Sequence, residues 1–403
     1  MSAILRWQTV PLKEVATLNY GKDLSAIVDI AGSIPIHGTS EDVRWGRGYL
    51  YDGPSVILGR KGSIDRVKYV EGKFWTIDTA YYLSHFEKAV PKWLYYFLSS
   101  IDLRSLNEAT GVPSLSRDRL YMIEVPKPPL PEQAKIAEVL STVDRAIAQT
   151  EALIAKQQRI KTGLMADLLT RGIDADGNLR SEATHAFKDS PLGRIPVEWE
   201  VRTLSQIVDE NITYGIVQAG PHLDGGVPYI RTGDMSGDHI MLDELLRTSK
   251  SIAKSYARST VYLGDIVFAL RATVGKVLPV TPEINGANLT QGTAKISPSE
   301  STDSDFLLWA LRSEAVQEAI SLEMKGTTFM EITLTNLREV KIAVPVSKDE
   351  QKIIAERIKT QHIYECSFSE QMKKLRSLKT ALMQDLLTGK KRVTDLLDME
   401  VAV

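Results

Sequence analysis

Apolar residues recur at intervals of three and four along two stretches of this chain. The first stretch extends from residue 136 to 168 and the second from 354 to 386. Such spacing places the apolar side chains on one face of an α-helix. We therefore predict helices over residues 131–171 and 349–388, each about 60 Å long at a rise of about 1.5 Å per residue.

The two predicted helices are copies of one sequence. Glu-Gln at 132–133 recurs at 350–351, and Asp-Leu-Leu-Thr at 167–170 recurs at 385–388, with a constant offset of 218 residues and no gap. An apolar helix face has to be covered, and the repeat supplies a matching partner. We predict that the two helices pair with each other in an antiparallel, coiled-coil-like manner. The alternative is that each helix packs on a separate domain core.

The segments in front of the helices repeat more faintly. Matching pieces are Tyr20-Gly21 with Tyr214-Gly215, Ile34-Pro35-Ile36 with Val227-Pro228-Tyr229, and Leu115-Ser116 with Ile332-Thr333. Short β-rich runs bounded by Gly and Pro indicate strands in both segments, and one helix is predicted to follow them, over residues 91–106 and 303–322. A period this long indicates duplication of a whole domain pair rather than a solenoid.

The predicted fold class is α+β. Two mixed α/β domains, residues 1–130 and 199–348, are separated by the two long antiparallel helices, with a pseudo-two-fold internal duplication. Residues 172–198, rich in Gly, Asp, Ser and Pro, indicate a linker, and residues 389–403 form a tail. The chain is thus predicted to carry two similar globular domains on one helical frame.

Composition narrows the possible functions. The 403 residues are 43% hydrophobic and 25% charged, with 49 Lys and Arg against 51 Asp and Glu, so binding of nucleic acid by bulk positive charge is not expected. One cysteine and six scattered histidines argue against disulfides and structural zinc. No stretch reaches the roughly 18 apolar residues of a membrane span, and the N-terminus lacks the apolar core of a signal peptide. We expect a cytoplasmic protein without a membrane partner.

Catalytic motifs are missing from the sequence as well. There is no Gly-x-x-x-x-Gly-Lys-[Ser/Thr] phosphate loop, no Gly-x-Ser-x-Gly nucleophile elbow and no Asn/Asp-Pro-Pro-Tyr/Phe segment of amino-methyltransferases. The nuclease-like pattern Glu-x-Lys begins at Glu71, but it also begins at Glu323, Glu339 and Glu350, so it carries little weight. We therefore expect neither a catalytic centre nor a metal site in this chain.

Two similar domains on a fixed helical frame suit a ligand that has two similar sites at a fixed distance. Duplex DNA is such a ligand, because half-sites one turn apart lie about 34 Å from centre to centre. The globular segments diverge more than the helices do. This difference is typical of two domains that recognise different DNA sequences and are carried by similar helices.

The order of these motifs resembles that of one known family. A globular segment followed by a helix with Glu-Gln near its start and Asp-Leu-Leu-Thr at its end, both occurring twice, is similar to the specificity subunit of type I DNA restriction–modification systems. The stretches at 192–199 and 325–328 also resemble that family. The first half departs from it, because Trp7 lacks the Gly-x-Ile-Pro lead and residues 111–114 replace a Gly-Thr-Thr run. The resemblance covers nearly the whole chain.

The resemblance implies that each globular segment is a target recognition domain that reads one half of a bipartite site in double-stranded DNA. The helices would set the spacing of the half-sites and dock two methyltransferase subunits, which restriction subunits join in the full complex. S-adenosylmethionine, ATP and Mg²⁺ would then bind the partner subunits. No cofactor is expected on this chain.

Charge is distributed unevenly between the two predicted domains. Residues 1–130 contain 16 basic and 14 acidic side chains, a net charge of +2, and residues 199–348 contain 14 and 18, a net charge of −4. Backbone affinity for DNA depends on Lys and Arg. We hypothesise that basic side chains concentrate in loops and that partner subunits supply further phosphate contacts. Tight, salt-sensitive binding of DNA by the chain alone would contradict this dependence on partners.

Candidate DNA contacts follow from side-chain chemistry. Arginine pairs with guanine, and Asn or Gln with adenine, in the major groove, while Lys and hydroxyl groups contact phosphates. The candidates in the first domain are Tyr20, Lys22, Arg44, Arg47, Arg60, Lys61, Ser114 and Arg117. Those in the second domain are Tyr214, Gln218, Arg231, Thr232, Arg271, Lys276, Asn288, Gln291, Lys325, Thr327 and Thr328. The alternatives are solvated loop side chains, caps of turns or helices for the hydroxyl groups, and packing of strand ends for the tyrosines.

Two other functions fit the sequence. One is a coiled-coil scaffold whose duplicated domains bind protein rather than DNA, which the acidic second domain favours. The other is the specificity segment of a fused methyltransferase–nuclease, which the short stretch of 15 residues after the second helix disfavours. Binding of the purified complex to a random DNA library distinguishes the scaffold from the DNA reader.

Overall fold

The chain folds as two units of mixed helix and strand. The computed structural model describes residues 7–401 apart from 26, 30, 40–42 and 325–329. One unit contains Met1–Leu153 and Phe368–Val403, and the other contains Ile154–Ser367. Each unit therefore joins one globular segment to parts of both long helices.

The first unit is built from short strands and helices. The strands are β1 (Thr9–Pro11), β2 (Thr17–Tyr20), β3 (Ile34–His37), β4 (Arg44–Gly46), β5 (Tyr51–Asp52), β6 (Ser55–Gly59), β7 (Val67–Val70), β8 (Lys73–Thr76), β9 (Ala80–Ser84) and β10 (Glu124–Pro126). The helices are α1 (Pro91–Ser100), α2 (Arg117–Tyr121) and the start of α3 (Leu130–Thr170). An antiparallel sheet has the strand order β2-β9-β6-β7, and a mixed sheet has the order β4-β3-β8-β5 with β3 and β8 parallel. Strands β1 and β10 form a separate antiparallel pair.

The second unit is also built from short strands and helices. Its strands are β11 (Phe187–Ser190), β12 (Gly193–Pro196), β13 (Trp199–Thr203), β14 (Thr213–Tyr214), β15 (Val227–Ile230), β16 (Arg247–Thr248), β17 (Ile266–Ala269), β18 (Val277–Pro279), β19 (Asn288–Leu289), β20 (Thr293–Ile296) and β21 (Lys341–Pro345). The helices that follow along the chain are α4 (Lys250–Ser255), α5 (Ser304–Leu311), α6 (Glu314–Leu322), α7 (Leu334–Glu339), α8 (Lys348–Leu387) and α9 (Thr394–Val401). The last part of α8 and all of α9 belong to the first unit.

The two units share most of their strand topology. The order β2-β9-β6-β7 corresponds to β14-β20-β17-β18, the parallel pair β3–β8 to β15–β19, and the pair β1–β10 to β13–β21. Ile36 lies opposite Trp75 in one parallel pair, and Tyr229 lies opposite Asn288 in the other. This register agrees with the sequence match between 34–36 and 227–229. The structure confirms an α+β fold with an internal duplication.

The helix after each sheet differs from its predicted extent. Helix α1 begins at Pro91, which suits a first helical turn because proline lacks the N–H that would have no partner there, and it ends at Ser100 rather than at residue 106. The second predicted helix, over residues 303–322, is divided into α5 and α6. The break lies at Ser313, whose side chain caps α6 by accepting a hydrogen bond from the Val316 N–H.

The two long helices contact each other in both units, and in the first unit their ion pairs show that they run antiparallel. The paired residues are Asp144–Lys379 at 2.6 Å and Glu151–Arg376 at 2.9 Å in the first unit, and Lys161–Glu365 in the second. Ile136 and Leu140 near the start of α3 are buried in the core of the first unit, and Ile354 and Ile358 of α8 in that of the second. Both alternatives for the apolar face therefore occur: the first turns pack on domain cores, and later turns contact the other long helix.

The repeated glutamine holds the start of another helix in each unit. Gln133 accepts a hydrogen bond from the Val90 N–H at 2.8 Å, and Gln351 accepts one from the Asp303 N–H at 2.7 Å. Val90 and Asp303 are the residues that precede α1 and α5. Both amide groups also donate to two backbone carbonyls nearby. The repeated glutamine is therefore a structural residue.

The repeated glutamate binds an arginine that follows the end of the other long helix. Glu132 holds Arg392 with two bonds of 2.5 and 2.7 Å, and Glu350 holds Arg180 with two bonds of 2.5 and 3.1 Å. The Trp199 indole N–H also donates to Glu350 at 3.1 Å. Both glutamates are buried. The Glu-Gln repeat thus preserves the same two contacts in each unit, one to a helix start and one to an arginine.

The segments predicted as a linker and a tail are ordered where the structure describes them. Residues 172–198 contain the hairpin β11–β12, and Ile173 and Ile195 pack in the core of the second unit. In the predicted tail, 389–403, Val393 is buried in the core of the first unit and precedes α9. The Gly, Asp and Ser residues of the first segment form turns between short strands.

Candidate nucleic-acid interfaces

Loops from distant parts of the first domain meet at one end of the β2-β9-β6-β7 sheet. The Arg60 N–H donates to the Thr79 carbonyl at 3.0 Å, and the Arg60 carbonyl accepts from the Leu115 N–H at 2.9 Å. On the neighbouring strand the Gly21 N–H donates to the Ala80 carbonyl at 3.0 Å. These bonds bring together six of the predicted DNA contacts. They form the first-domain surface: Tyr20, Lys22, Arg60, Lys61, Ser114 and Arg117.

Tyr20 lies between two arginines of this surface. The side chain is 45% exposed, and its ring centre is 5.1 Å from that of the buried Tyr81. The guanidinium groups of Arg60 and Arg117 lie 5.1 and 5.5 Å from the Tyr20 ring centre. An aromatic ring attracts cations to its face, so Tyr20 orients both groups. Burial, with a smaller contribution from Tyr20, raises the pKa of the Tyr81 hydroxyl, which stays protonated and donates to the Leu115 carbonyl at 3.1 Å.

The glycine after each repeated tyrosine allows two backbone segments to touch. A Cβ atom on Gly21 would lie 1.9 Å from the Ile77 carbonyl oxygen, and one on Gly215 would lie 1.8 Å from the Leu289 carbonyl oxygen. Any residue with a side chain would force these segments apart. The Tyr-Gly repeat therefore marks the same backbone crossing in both domains.

Two predicted residues of the first domain lie on its mixed sheet instead. Arg44 is exposed on β4, and the Arg47 guanidinium pairs with Asp29 at 2.5 Å. Trp45 and Tyr49 are exposed near them. This group is linked to the first-domain surface through Lys22, whose carbonyl accepts from the indole N–H of a tryptophan in β8 at 3.0 Å.

The second domain builds the same backbone frame with other side chains. Leu270 takes the place of Arg60: its N–H donates to the Gly292 carbonyl at 2.8 Å, and its carbonyl accepts from the Ile332 N–H at 3.1 Å. Five predicted contacts lie at strand ends and turns of this frame. They form the second-domain surface: Tyr214, Arg231, Thr232, Arg271 and Gln291. Gln218 is exposed in the loop that follows β14.

The cationic side chains predicted in the second domain, within its described residues, all have acidic partners. They are Arg231 with Asp234 at 2.7 Å, Arg271 with Glu331 at 2.8 Å, and Lys276 with Asp238 at 3.7 Å. The hydrogen bond to Asp234 raises the pKa of Arg231. Paired groups of this kind present hydrogen-bond donors and acceptors side by side, both of which base edges require.

Glu331 lies beside Arg271 and is added to the second-domain surface, although it is not among the DNA contacts predicted from the sequence. It is about half exposed, and its backbone pairs with that of Arg271 in the way that Ser114 pairs with Lys61 in the first domain. A signal for it existed in the repeat. Because 115–116 matches 332–333, the residue equivalent to the candidate Ser114 is Glu331.

The prediction that Asn288 contacts a DNA base has to be corrected. It is 1% exposed, and its amide donates to the Tyr256 carbonyl at 3.1 Å and lies 3.4 Å from the Ser259 hydroxyl. Its position in strand β19, opposite Tyr229, turns the side chain into the domain. This burial contradicts its assignment as a base-contacting residue, because a base edge has to reach the amide. Three further candidates, Lys325, Thr327 and Thr328, lie outside the described residues.

The described part of the chain holds no group of three or more His, Cys, Asp or Glu side chains arranged to bind a metal ion. Among the same residues, no helix combines the length and apolar character that crossing a bilayer requires. The two surfaces consist of aromatic, amide, hydroxyl, arginine and lysine side chains, joined in the second domain by a carboxylate. Such groups bind a polyanion and read base edges.

The family model described as the type I restriction modification DNA specificity domain matches residues 5–158 and 196–375. The type I restriction enzyme MjaVIII specificity subunit of Methanocaldococcus jannaschii is 30% identical over 366 residues, which cover 86% of this chain and 79% of that protein. The EcoBI specificity subunit of Escherichia coli is 27% identical over 300 residues, covering 72% and 62%.

Solved structures share the fold over almost the full length. The S subunit of a type I restriction–modification system from M. genitalium superimposes with a TM-score of 0.67 at 16% identity, covering 96% of this chain and 97% of that one. A chain from a study of assembly and conformational transition of the type I system superimposes with a TM-score of 0.53 at 17% identity, covering 96% and 99%.

Proposed function

This chain belongs to the family of type I restriction–modification DNA specificity subunits, and we propose that its two globular domains each read one half of a bipartite DNA target. Its relatives are named specificity subunits, the non-catalytic components of these systems that recognise the DNA target. The family assignment overturns the alternative of a scaffold that does not bind DNA.

The single observation that carries the proposal is one backbone frame that bears different side chains in the two domains. Lys61 and Ser114 face each other in the first domain, and Arg271 and Glu331 take the same positions in the second. A shared frame gives both domains the same mode of approach to DNA. Different side chains on that frame let each domain select its own bases.

The long helices are proposed to set the gap between half-sites and to dock two methyltransferase subunits. Support comes from apolar side chains that remain exposed on α3 and α8, namely Leu153, Ile160, Ile363, Tyr364 and Leu378. Of these, Ile160 and Leu378 occupy equivalent positions of the repeat, and an equivalent exposed apolar position on each helix suits two copies of one partner. Restriction subunits are proposed to join that core, in the cytoplasm where the DNA lies. S-adenosylmethionine, ATP and Mg²⁺ are proposed to bind the partners.

Sequencing of methylated bases tests the bipartite target. The chain is produced in a host together with its methyltransferase, and all N6-methyladenine positions of the host DNA are mapped. We expect a motif with two specific parts separated by a gap of constant length. A continuous motif, or methylation that does not depend on this chain, would contradict the proposal.

Native mass spectrometry tests the docking of two methyltransferases. We expect one specificity chain with two methyltransferase chains.

Ile363→Glu places a charge on an exposed apolar position of α8 and should lower the affinity for methyltransferase at least tenfold. The matched control is Leu322→Glu, because Leu322 is an exposed apolar residue, 81% accessible, on α6 rather than on a long helix. Equal effects of the two substitutions would contradict docking on the helices.

A further inference from the structure

We propose that the two domains contribute differently to DNA binding. The first-domain surface supplies most of the salt-dependent attraction to phosphates, and the second-domain surface binds chiefly by hydrogen bonds from arginine–carboxylate pairs to base edges. This division rests on the proposed function, because it assumes that each domain contacts one half-site.

The cations of the first-domain surface have no acidic partner among the described residues. Arg60 donates to the backbone carbonyl of Asp78 at 3.0 Å, and Arg60 and Arg117 both lie against the ring of Tyr20. Lys22 and Lys61 are exposed, and neither is paired with a carboxylate within the part of the chain that the structure describes. Like charges this close repel one another, and an anion bound between them removes that repulsion. A DNA phosphate is such an anion.

The candidate cations of the second domain, Arg231 and Arg271 on the second-domain surface and Lys276 in the same domain, are each paired with a carboxylate. Arg271 holds Glu331 and Lys276 faces Asp238, while Arg231 holds Asp234 with two bonds. A phosphate that approached these groups would meet a carboxylate beside each cation. The net charges of the two globular domains agree with this difference, because residues 1–130 carry a net charge of +2 and residues 199–348 carry one of −4.

The two kinds of surface respond differently to salt. Each phosphate neutralised by a protein cation releases counterions, and the slope of log K against log salt changes by about 0.9 for each such contact on duplex DNA. Hydrogen bonds between an arginine–carboxylate pair and a base pair release few counterions, because the protein group is neutral overall. Salt dependence is therefore assigned mainly to the first domain, and base discrimination without salt dependence to the second.

Binding measurements on matched double variants test this division. The probe is a 30-base-pair duplex that carries the methylated motif found by sequencing, and the protein is the complete complex with methyltransferase. One variant combines Arg60→Gln with Arg117→Gln, and the other combines Arg271→Gln with Lys276→Gln. Fluorescence anisotropy at several KCl concentrations gives the slope for each. We expect the first variant to lose about 1.8 units of slope and the second less than half as much.

Charge-preserving variants separate electrostatics from folding. Arg60→Lys with Arg117→Lys retains both cations and should keep most of the original slope, although the stacking on Tyr20 is weakened. Equal losses of slope in the two Gln variants, or a larger loss in the second domain, would overturn the division. A single continuous methylated motif for the wild-type chain would instead overturn the proposed function. A bipartite motif with equal slopes overturns only the division between domains.

Discussion

Arg271 and Glu331 lie opposite each other on the second-domain surface, with 2.8 Å between their nitrogen and oxygen atoms and both side chains about half exposed. Arginine donates to O6 and N7 of guanine, and a carboxylate accepts from N4 of cytosine. The pair therefore matches the major-groove edge of one G·C pair. An exposed pair of this kind contributes at most about 1 kcal/mol to folding, so its substitution tests the predicted role in recognition with little effect on stability.

Arg271→Ala is expected to relax recognition of the second half-site and to leave the first unchanged. The loss of one bidentate contact corresponds to about 1–3 kcal/mol of base discrimination. Sequencing of methylated sites in cells measures it, with Arg202→Ala as the control, because Arg202 is a partly exposed arginine paired with Glu200 on β13. Equal loss of methylation at unrelated half-sites would show a folding defect instead.

Gly215→Ala is expected to destabilise the second unit by about 2–4 kcal/mol, because the new Cβ atom would lie 1.8 Å from a backbone oxygen. Urea unfolding of the complete chain measures the change. Gly233→Ala is the matched control, since a Cβ there meets nothing within 4 Å, and its effect should stay within about 0.5 kcal/mol. Similar effects of both substitutions would contradict a role for close backbone approach.

At the scale of elements, the start of each long helix is fastened to its domain by the Glu-Gln repeat. Glu350 and Arg180 are both buried, whereas Arg392, the partner of Glu132, is 33% exposed. Removal of Glu350 would leave Arg180 buried with Glu198, 3.5 Å away and largely exposed, as its nearest acidic partner, and a buried charge that loses its main partner is costly. Substitution of the glutamate should therefore lower the free energy of unfolding by different amounts in the two copies of the motif.

Glu350→Gln is expected to lower the free energy of unfolding by about 3–5 kcal/mol, since Arg180 would remain buried and charged. Glu132→Gln should have a smaller effect, because solvent screens Arg392. The control is Glu151→Gln, which breaks an exposed pair between α3 and α8 and should cost less than about 1 kcal/mol. Denaturant unfolding of the three variants measures the order, and a different order would contradict the assignment.

At the scale of the whole molecule, the length of α3 and α8 is predicted to determine the gap between half-sites. Insertion of seven residues into both helices, after Leu153 and after Ser367, lengthens each by about 10 Å, which corresponds to about three base pairs. We expect methylated sites with the same half-site bases and a longer gap. A gap of unchanged length would contradict a spacing role for the helices.

Local pattern predicted the long helices well, because a repeated apolar spacing needs no knowledge of distant residues. The structure has helices over Leu130–Thr170 and Lys348–Leu387, where the sequence predicts 131–171 and 349–388. Segments without a clear period were harder to predict. The range 172–198 has the composition of a linker, yet it forms a hairpin, because Ile173 and Ile195 find a core that lies far away in the sequence.

The candidate surfaces were predictable in part. Side-chain chemistry identified Arg60 and Arg117 separately, and only folding brings both to the ring of Tyr20. Asn288 has suitable chemistry but is buried by its strand, and Glu331 was missed because an acidic residue does not resemble a DNA contact until its partner is known. Exposure and partnership depend on contacts between residues far apart in the chain.

The duplication, the two long helices and the family could be predicted from the order of residues, because repeats and periodicities lie along the chain. Which side chains meet depends on the folded structure. Arg271 and Glu331 are 60 residues apart, and Glu132 and Arg392 are 260 apart. Ion pairs and burial form through space, so a near-neutral chain can hold one surface whose cations have no acidic partner among the described residues and another whose cations are paired.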